Sequence, residues 1–317
     1  MTRQKIKVGV VLPTYRRLAS SENIARTAAL SESLGFDSVW VTDHIVVPST
    51  SLESFGRDFY EGVSVMAYVA GITSRIQIGA AILIVAYRHP LLLAKMISTI
   101  DQLSHGRVVL GAGLGWLEAE SALMGVPHRR RARIADDTLA VLRACWESDT
   151  PEFHGAVHDV GGFHFSPRPY ENRRLPILVG GATTAALRRA ARFGDGWIGD
   201  DQTFEEMKAS LSQLERELAA QGRSRDGFEV AARTGLQVVA DRSSITGSPS
   251  EKGWKSDEFV TEGRTPFRGL RQEVVADFRR AAEVGVTHLV FEFPVSRGEE
   301  SMDLFETLAS IREEAGV

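Results

Sequence analysis

Arg107-Val108-Val109-Leu110-Gly111-Ala112-Gly113-Leu114-Gly115-Trp116 is the stretch on which the reading of this chain turns. An apolar strand runs into a glycine-rich turn, with Glu118 and Glu120 just beyond it. Glycines at a strand end let backbone come close to something large and flat, or to something charged. A dinucleotide-binding fingerprint would need its third glycine three residues after the second and a helix opening at once. Here the glycines fall at 111, 113 and 115, and no strong apolar helix period follows until Ile134. The stretch takes its meaning from company, because several other strand ends in the chain carry polar or glycine-rich turns.

Outward from it, strands and helices alternate. Residues 6–12 form a β-rich run stopped by Pro13, and 22–34 have helical periodicity through Ile24, Ala28, Leu30 and Leu34, with Gly35 as the stop. Residues 38–41 are a second strand, ending at Thr42-Asp43-His44. A helix at 63–71 leads to a run at 76–85 that is apolar on both faces, as in a buried parallel sheet. Pro90 opens a long helix, a favoured first position for proline. The beat repeats with strands at 175–179, 196–198, 229–240 and 287–293 and helices at 134–146, 183–193, 204–220, 270–284 and 302–315. Residues 153–170 read as a hairpin or surface excursion, and 242–269, polar and without period, as a mobile loop. Eight strands alternating with helices leave the open doubly wound sheet and the closed barrel. The count and the length favour an α/β (β/α)8 TIM barrel, one domain over 1–317 with an insertion at about 242–269.

Composition excludes several classes. The chain has 317 residues, 25% charged, with a net charge of −4, so no global basic field recruits nucleic acid or membrane. The run Arg129-Arg130-Arg131 with Arg133 is local, and reads either as a solvated helix start or as an anion or partner contact. One cysteine, Cys145, allows no internal disulfide and reads as a small buried hydrophobe. The polar start and the lack of a long apolar run lead to the expectation of a soluble, cytoplasmic protein. The eight histidines show no zinc-type pair on a helix. His154 and His158 are four apart but lie in a turn-rich segment, so no metal site is expected.

A barrel places its chemistry on the loops after its strands. Those positions are Pro13 and Thr14, Asp43 and His44, 81–85, 113–118, 180–183, 199–201 and Glu292. They include an ionisable pair, Asp43-His44, and a carboxylate, Glu118, beyond Trp116. They also include Gly180-Gly181-Ala182-Thr183, which ends a strand and opens a helix. Such a helix start gathers N–H groups and the positive end of the dipole, which suits a phosphate. No Ser-His-Asp or Cys-His order is visible.

Val39-Trp40-Val41-Thr42-Asp43-His44-Ile45-Val46-Val47-Pro48, Arg88-His89-Pro90, Leu103-Ser104-His105-Gly106-Arg107 and Gly111 to Trp116 occur in order, followed by Phe153-His154-Gly155, Phe165-Ser166-Pro167-Arg168-Pro169 and Gly194-Asp195-Gly196-Trp197. This ordered set resembles the bacterial-luciferase-like superfamily over roughly residues 6–240, and within it the branch that uses the deazaflavin coenzyme F420. The resemblance implies a tricyclic ring over the C-terminal strand ends, bordered by Asp43, Ala81, Ile82, Gly113 and Trp116, with the phosphate on Gly180, Gly181, Ala182 and Thr183. It implies a non-proline cis peptide at Ala81-Ile82 behind the ring, where an ordinary trans strand is the other reading. It makes His44 the active-site histidine, since an imidazole can exchange a proton with an alcohol or carbonyl as hydride moves; the plainer reading is a loop held by hydrogen bonds. Glu118 is either the complementary acid or a solvated helix-start carboxylate, and Trp116 either a pocket wall or core. Asp200 and Asp201 stand where some family members carry a hydroxyl and a lysine on the phosphate. Cations are therefore sought elsewhere, in the segment with Lys252, Lys255, Arg264 and Arg268.

The expected activity is hydride transfer between deazaflavin C5 and a small organic substrate. The alternative is an FMN-dependent monooxygenase fed by a partner reductase, and a third reading is a non-catalytic flavin-binding barrel. A homodimer is expected from the likeness. Substrate choice is assigned to 49–62 and 242–269.

Overall fold

The structure, a computed structural model, describes residues 5–245, 265–293 and 301–316. The elements run β1 Lys7–Val11, α1 Ser21–Ser33, β2 Ser38–Val41, α2 Leu52–Phe55, α3 Gly62–Ile72, β3 Gln77–Ala80, β4 Leu83–Ile84, α4 Pro90–Leu103 and β5 Val108–Gly113. They continue with α5 Glu118–Leu123, α6 Arg131–Glu147, β6 Phe153–His154, β7 Asp159–Val160, β8 Ile177–Gly180, α7 Thr184–Phe193, β9 Gly196–Asp200 and α8 Phe204–Ala220. The last are β10 Glu229–Gly235, β11 Gln237–Val239, β12 Arg268–Leu270, α9 Arg271–Val284, β13 His288–Glu292 and α10 Ser301–Ala315.

The main sheet runs β3-β2-β1-β13-β10-β9-β8-β5-β4, and β3 also pairs with β5, so it closes on itself. All of its pairings are parallel. β3 and β4 are two halves of one stave, which gives the eight-fold barrel expected from the sequence. Both faces of each stave are buried. Val11, Trp40, Val109, Leu178, Ile198, Ala231 and Val290 fill the interior, while neighbours such as Val10, Val39, Val41 and Leu289 pack outward under the helices. That two-sided burial is why the strands read as continuous apolar runs.

The break in the third stave explains the glycines of the fourth. A Cβ on Gly111 would lie 1.7 Å from the Ala80 carbonyl oxygen, and one on Gly113 would lie 2.4 Å from Ile82 Cδ1. Across the next strand, a Cβ on Gly180 would come 2.8 Å from Ile82 Cγ2. The Ala81-Ile82 peptide between β3 and β4 is cis. The close neighbour of this glycine-rich strand is thus the adjacent stave of the same barrel.

A polar chain crosses the N-terminal end of the barrel. Trp40 Nε1 donates to Ser38 Oγ at 2.6 Å, and Ser38 Oγ lies 2.7 Å from His288 Nε2. His288 Nδ1 meets Glu229 Oε1 at 2.8 Å, and Lys7 Nζ reaches the other carboxylate oxygen at 2.8 Å. Both ring nitrogens of His288 are thus engaged, and each buried group has a partner. Burial pushes the Glu229 carboxyl up, but its interactions with His288, then with Lys7, outweigh it and hold it down to about 2.

A depressed folded-state value stabilises the fold above the ordinary carboxylate value of 4.5, and that contribution is lost as pH falls toward about 2. It is on the order of 2–3 kcal/mol. Glu229→Gln should therefore flatten the fall of Tm between pH 4.5 and 2 relative to the wild type. Parallel Tm–pH curves for the two proteins would show that this pair carries no acid sensitivity.

One expectation needs adjustment, and another lies mostly outside the described residues. The strand at 229–240 breaks at Leu236, and its second part, β11, pairs in parallel with β12 as a separate two-stranded sheet. Most of the loop at 242–269 lies outside the described residues, together with Lys252, Lys255 and Arg264. Its end, Arg268, is buried. Cys145 is fully buried, and burial raises its thiol to about 11, against a small opposing effect of Lys95. Among the described residues no helix is long and apolar enough to cross a membrane.

Candidate active site

The C-terminal rim is assembled from strand ends. After β2, Thr42 meets Thr14 of the β1 end through their hydroxyls at 3.0 Å. Asp43, next along, is buried and fully engaged. Its Oδ2 accepts the Ile84 amide at 2.8 Å, and Arg88 grips both oxygens at 2.7 and 2.8 Å. Arg88 also pairs with Glu61, whose carboxylate caps the start of α3. Burial pulls the Arg88 guanidinium down, but Asp43 and then Glu61 outweigh this and keep it charged. Asp43 therefore holds β4 in place beyond the break, and both its oxygens are occupied by the protein.

His44 follows and is 8% exposed. Its Nδ1 lies 2.6 Å from Oε2 of Glu120, a carboxylate with no exposure at all. The other oxygen of Glu120 accepts the amides of Ile45 at 2.7 Å and Val46 at 3.3 Å. A carboxylate fed by two backbone donors acts as an acceptor, so it fixes the proton on Nδ1. His44 Nε2 has no hydrogen bond to the described residues. The ring is flanked by Phe55 at 4.8 Å, Phe59 at 5.2 Å and Trp116 at 6.5 Å between centroids. Trp116 is 44% exposed, so it is a wall rather than core.

Glu118 is exposed on the first turn of α5, while Glu120 and Ser121 of the same helix face inward. The partner of His44 is thus Glu120, two residues beyond the carboxylate singled out by sequence. Ala81 and half-buried Ile82 pack on the interior cluster, and Gly113 and Gly180 make room for Ile82. An apolar surface at this height, beside His44, fits the face of a flat aromatic ring. Gly113 serves that surface from beneath.

At the end of β8, Gly181 has φ +113° and its carbonyl accepts Trp197 Nε1 at 2.6 Å. Thr183 caps α7, its hydroxyl accepting the Ala186 amide at 3.2 Å. Gly181, Thr183 and Thr184 are exposed and Ala182 half-buried, so this helix start is open at the rim for an anion.

Sequence reasoning placed Asp200 and Glu292 at the rim but missed that Tyr15 and Arg233 join them in a second cluster. Arg233 of β10 pairs with Asp200 of β9 at 2.7 Å and with Glu292 of β13, which also accepts the Tyr15 hydroxyl. Burial, then Glu292, pushes the Tyr15 phenol up, so it remains a donor. Tyr15 stacks on Phe59 at 5.1 Å, so the cluster borders the aromatic wall of His44. Arg268, considered as a phosphate partner, instead meets Asp201 at 3.0 Å.

The sequence profile of the luciferase-like monooxygenase family matches residues 6–247. An uncharacterized protein of Mycobacterium tuberculosis is 31% identical over 205 residues, 60% of this chain and 70% of that protein. An FMNH(2)-dependent dimethylsulfone monooxygenase of Pseudomonas putida is 27% identical over 208 residues, 61% of this chain and 57% of that protein. Among solved structures, a monooxygenase from Streptomyces bottropensis is similar with a TM-score of 0.79 at 20% identity, covering 98% of this chain and 100% of that one. An F420-dependent secondary alcohol dehydrogenase in complex with an F420-acetone adduct gives 0.78 at 19% identity, covering 97% and 99%. At these identities the structural likenesses speak for the fold. The profile match spans the barrel through its seventh stave, and the chain belongs to the luciferase-like monooxygenase family.

Proposed function

We propose that this chain transfers hydride between C5 of coenzyme F420 and a small organic substrate, with His44 exchanging the substrate proton. The observation that carries the reading is the His44–Glu120 pair: a buried histidine with its Nδ1 held and its Nε2 unshared, beside the apolar surface of Ala81 and Ile82. The deazaflavin, when bound there, supplies or accepts hydride at C5 and lacks the N5 on which flavin oxygen activation depends.

His44 Nε2 takes the hydroxyl proton of an alcohol in one direction and returns it to a carbonyl oxygen in the other. Glu120 fixes the tautomer and steadies the ring as positive charge develops on it. Phe55, Phe59 and Trp116 wall the imidazole and hold it in place. Asp43 and Arg88 hold β4 and so support the ring surface. Gly180 to Thr183 would hold the phosphate.

A second reading, an FMN-dependent monooxygenase supplied by a reductase, draws support from the name of the Pseudomonas putida relative. Anaerobic mixing with oxidised F420 and a panel of small alcohols separates the two. The hydride reading predicts loss of the deazaflavin absorbance with at least one alcohol. Substrate oxidation that requires reduced FMN and oxygen, with deazaflavin inert, would overturn it.

The reading includes a homodimer. Tyr68 and Ile72 on α3 and Leu92 and Leu103 on α4 are large apolar side chains exposed on adjacent helices. The pair Ile72→Glu and Leu92→Glu should halve the mass measured by light scattering. An unchanged mass would contradict that face as the interface.

A further inference from the structure

The Tyr87 phenol has one proton and two acceptors. Tyr87 is buried in the short 3-10 turn after β4. Its oxygen lies 3.1 Å from Ser121 Oγ, and it also shares a hydrogen bond with Glu120. Burial pushes the phenol up to about 12; Ser121 pulls against this, while the charges of Glu120 and Asp43 and the hydrogen bond with Glu120 add to it. The phenol therefore keeps its proton at neutral pH, and it can give that proton to Ser121 or to Glu120 but not to both. Ser121, the residue after Glu120 on α5, has no exposure and meets a similar choice. Its Oγ also lies 3.3 Å from His128 Nδ1.

The row thus has three links: His128 to Ser121, Ser121 to Tyr87, and Tyr87 to Glu120. Its two hydroxyls carry only two protons, and a carboxylate brings none. With a bare Nδ1 on His128, one link goes without a proton. A protonated His128 brings the third. Nδ1–H then donates to Ser121, Ser121 to Tyr87, and Tyr87 to Glu120. No covalent bond changes along the row, since each hydroxyl keeps its proton and turns about its C–O bond. An imidazole changes charge between about pH 5 and 8, so ordinary pH reaches both arrangements.

His128 is half-exposed in the 3-10 turn before α6, where its ring exchanges protons with solvent. α5 and α6 pack against that turn. The charged groups at this end are Glu118 and Glu120 of α5, Arg131 and Arg133 of α6, and Arg129 and Arg130 of the turn itself. Arg131 donates to the His128 carbonyl at 2.7 Å, which fixes the turn. The phenol itself sits in an apolar setting, buried with Ile84, Ala86 and Val126. A hydrogen bond gained or lost there counts for more than one at the surface. A Cβ on Gly115, at φ +70°, would come 3.2 Å from the Tyr87 oxygen, so the last glycine of the strand end leaves the phenol its place.

We propose that His128 governs the His44–Glu120 pair from a distance: on taking a proton it turns Ser121 and Tyr87 toward Glu120, and the added hydrogen bond draws the carboxylate's charge away from His44 Nδ1. Tyr87, Ser121 and His128 are positioning residues that act through Glu120. This rests on the reading of His44 as the group that exchanges the substrate proton. Less negative charge then faces the imidazolium that alcohol oxidation creates, so that direction slows as His128 protonates.

Proton NMR of the ligand-free protein tests the coupling, because the His44 Nδ1–H signal reports the pull of Glu120. In the wild type that signal should move downfield as pH rises through the midpoint read from the His128 ring signals. Tyr87→Phe cuts the row while keeping the ring, and His128→Gln keeps a hydrogen bond to Ser121 but does not titrate. In both variants the step should vanish. A wild-type signal with no step at the His128 midpoint would overturn the coupling. So would a step that survives in Tyr87→Phe, since the field of His128 alone would then explain it. Reduction of F420 by an alcohol in those cases would leave the hydride reading standing. The coupling found in a protein that reduces no F420 with any alcohol would overturn the hydride reading and leave the coupling in place.

Discussion

His44→Ala should lower kcat for the hydride reaction by about 10²- to 10⁴-fold, the usual worth of a positioned general acid–base, with little change in cofactor affinity. The geometry of one ring sets this expectation. Its Nδ1 is committed to Glu120 at 2.6 Å, and only Nε2 is left for chemistry. Glu120→Gln should give a smaller loss of kcat. The Gln amide cannot satisfy the Ile45 and Val46 amides and His44 Nδ1–H as the carboxylate does, so the ring loses its fixed tautomer. Steady-state kinetics with paired cofactor titrations would measure both variants. Wild-type turnover by His44→Ala would remove the proton-transfer role. The absence of any turnover in the wild type, with tight cofactor binding retained, would instead favour a non-catalytic barrel.

Gly111→Ala should have the largest structural effect of any single methyl. Its Cβ would stand 1.7 Å from the Ala80 carbonyl oxygen. The obstacle is backbone, so no rotamer change relieves it, and the third and fourth staves must separate. A cost above about 3 kcal/mol is expected, with little folded protein recovered. Gly71→Ala is the matched control. It lies on the exposed side of α3 with nothing within 4 Å of the added methyl, and should be neutral or stabilising by up to about 1 kcal/mol. Denaturant unfolding of the two variants separates the outcomes. A Gly111→Ala protein as stable as the wild type would mean that the break at Ala81-Ile82 does not dictate the glycines of β5.

These two predictions mark where the sequence was and was not readable. The eight staves were legible because both their faces are buried, so Val39, Trp40 and Val41 appear as one apolar run although only Trp40 points inward. The glycines at 111 and 113 were visible, but their reason lay in a neighbour about thirty residues earlier. What comes close to these glycines is the adjacent stave, Ala80 and Ile82, and nothing in the local sequence announces it. His44 stood out because a strand end and a short polar pair coincide there. Glu120 did not, because α5 has only six residues, too few to show which of two carboxylates turns inward. The cluster of Tyr15, Asp200, Arg233 and Glu292 was hidden for a similar reason. Tyr15 and Glu292 are 277 positions apart in sequence and adjacent only when β1 pairs with β13. The aromatic wall of Phe55 and Phe59 sits in a stretch whose only local signal was irregularity.

The central claim is that the rim beside His44 holds a deazaflavin rather than FMN. Equilibrium titration of the purified protein with each oxidised cofactor, followed by fluorescence, tests it most directly. The account predicts saturable F420 binding at least about tenfold tighter than that of FMN, a difference of about 1.4 kcal/mol. Tight FMN binding with no measurable F420 binding would contradict it.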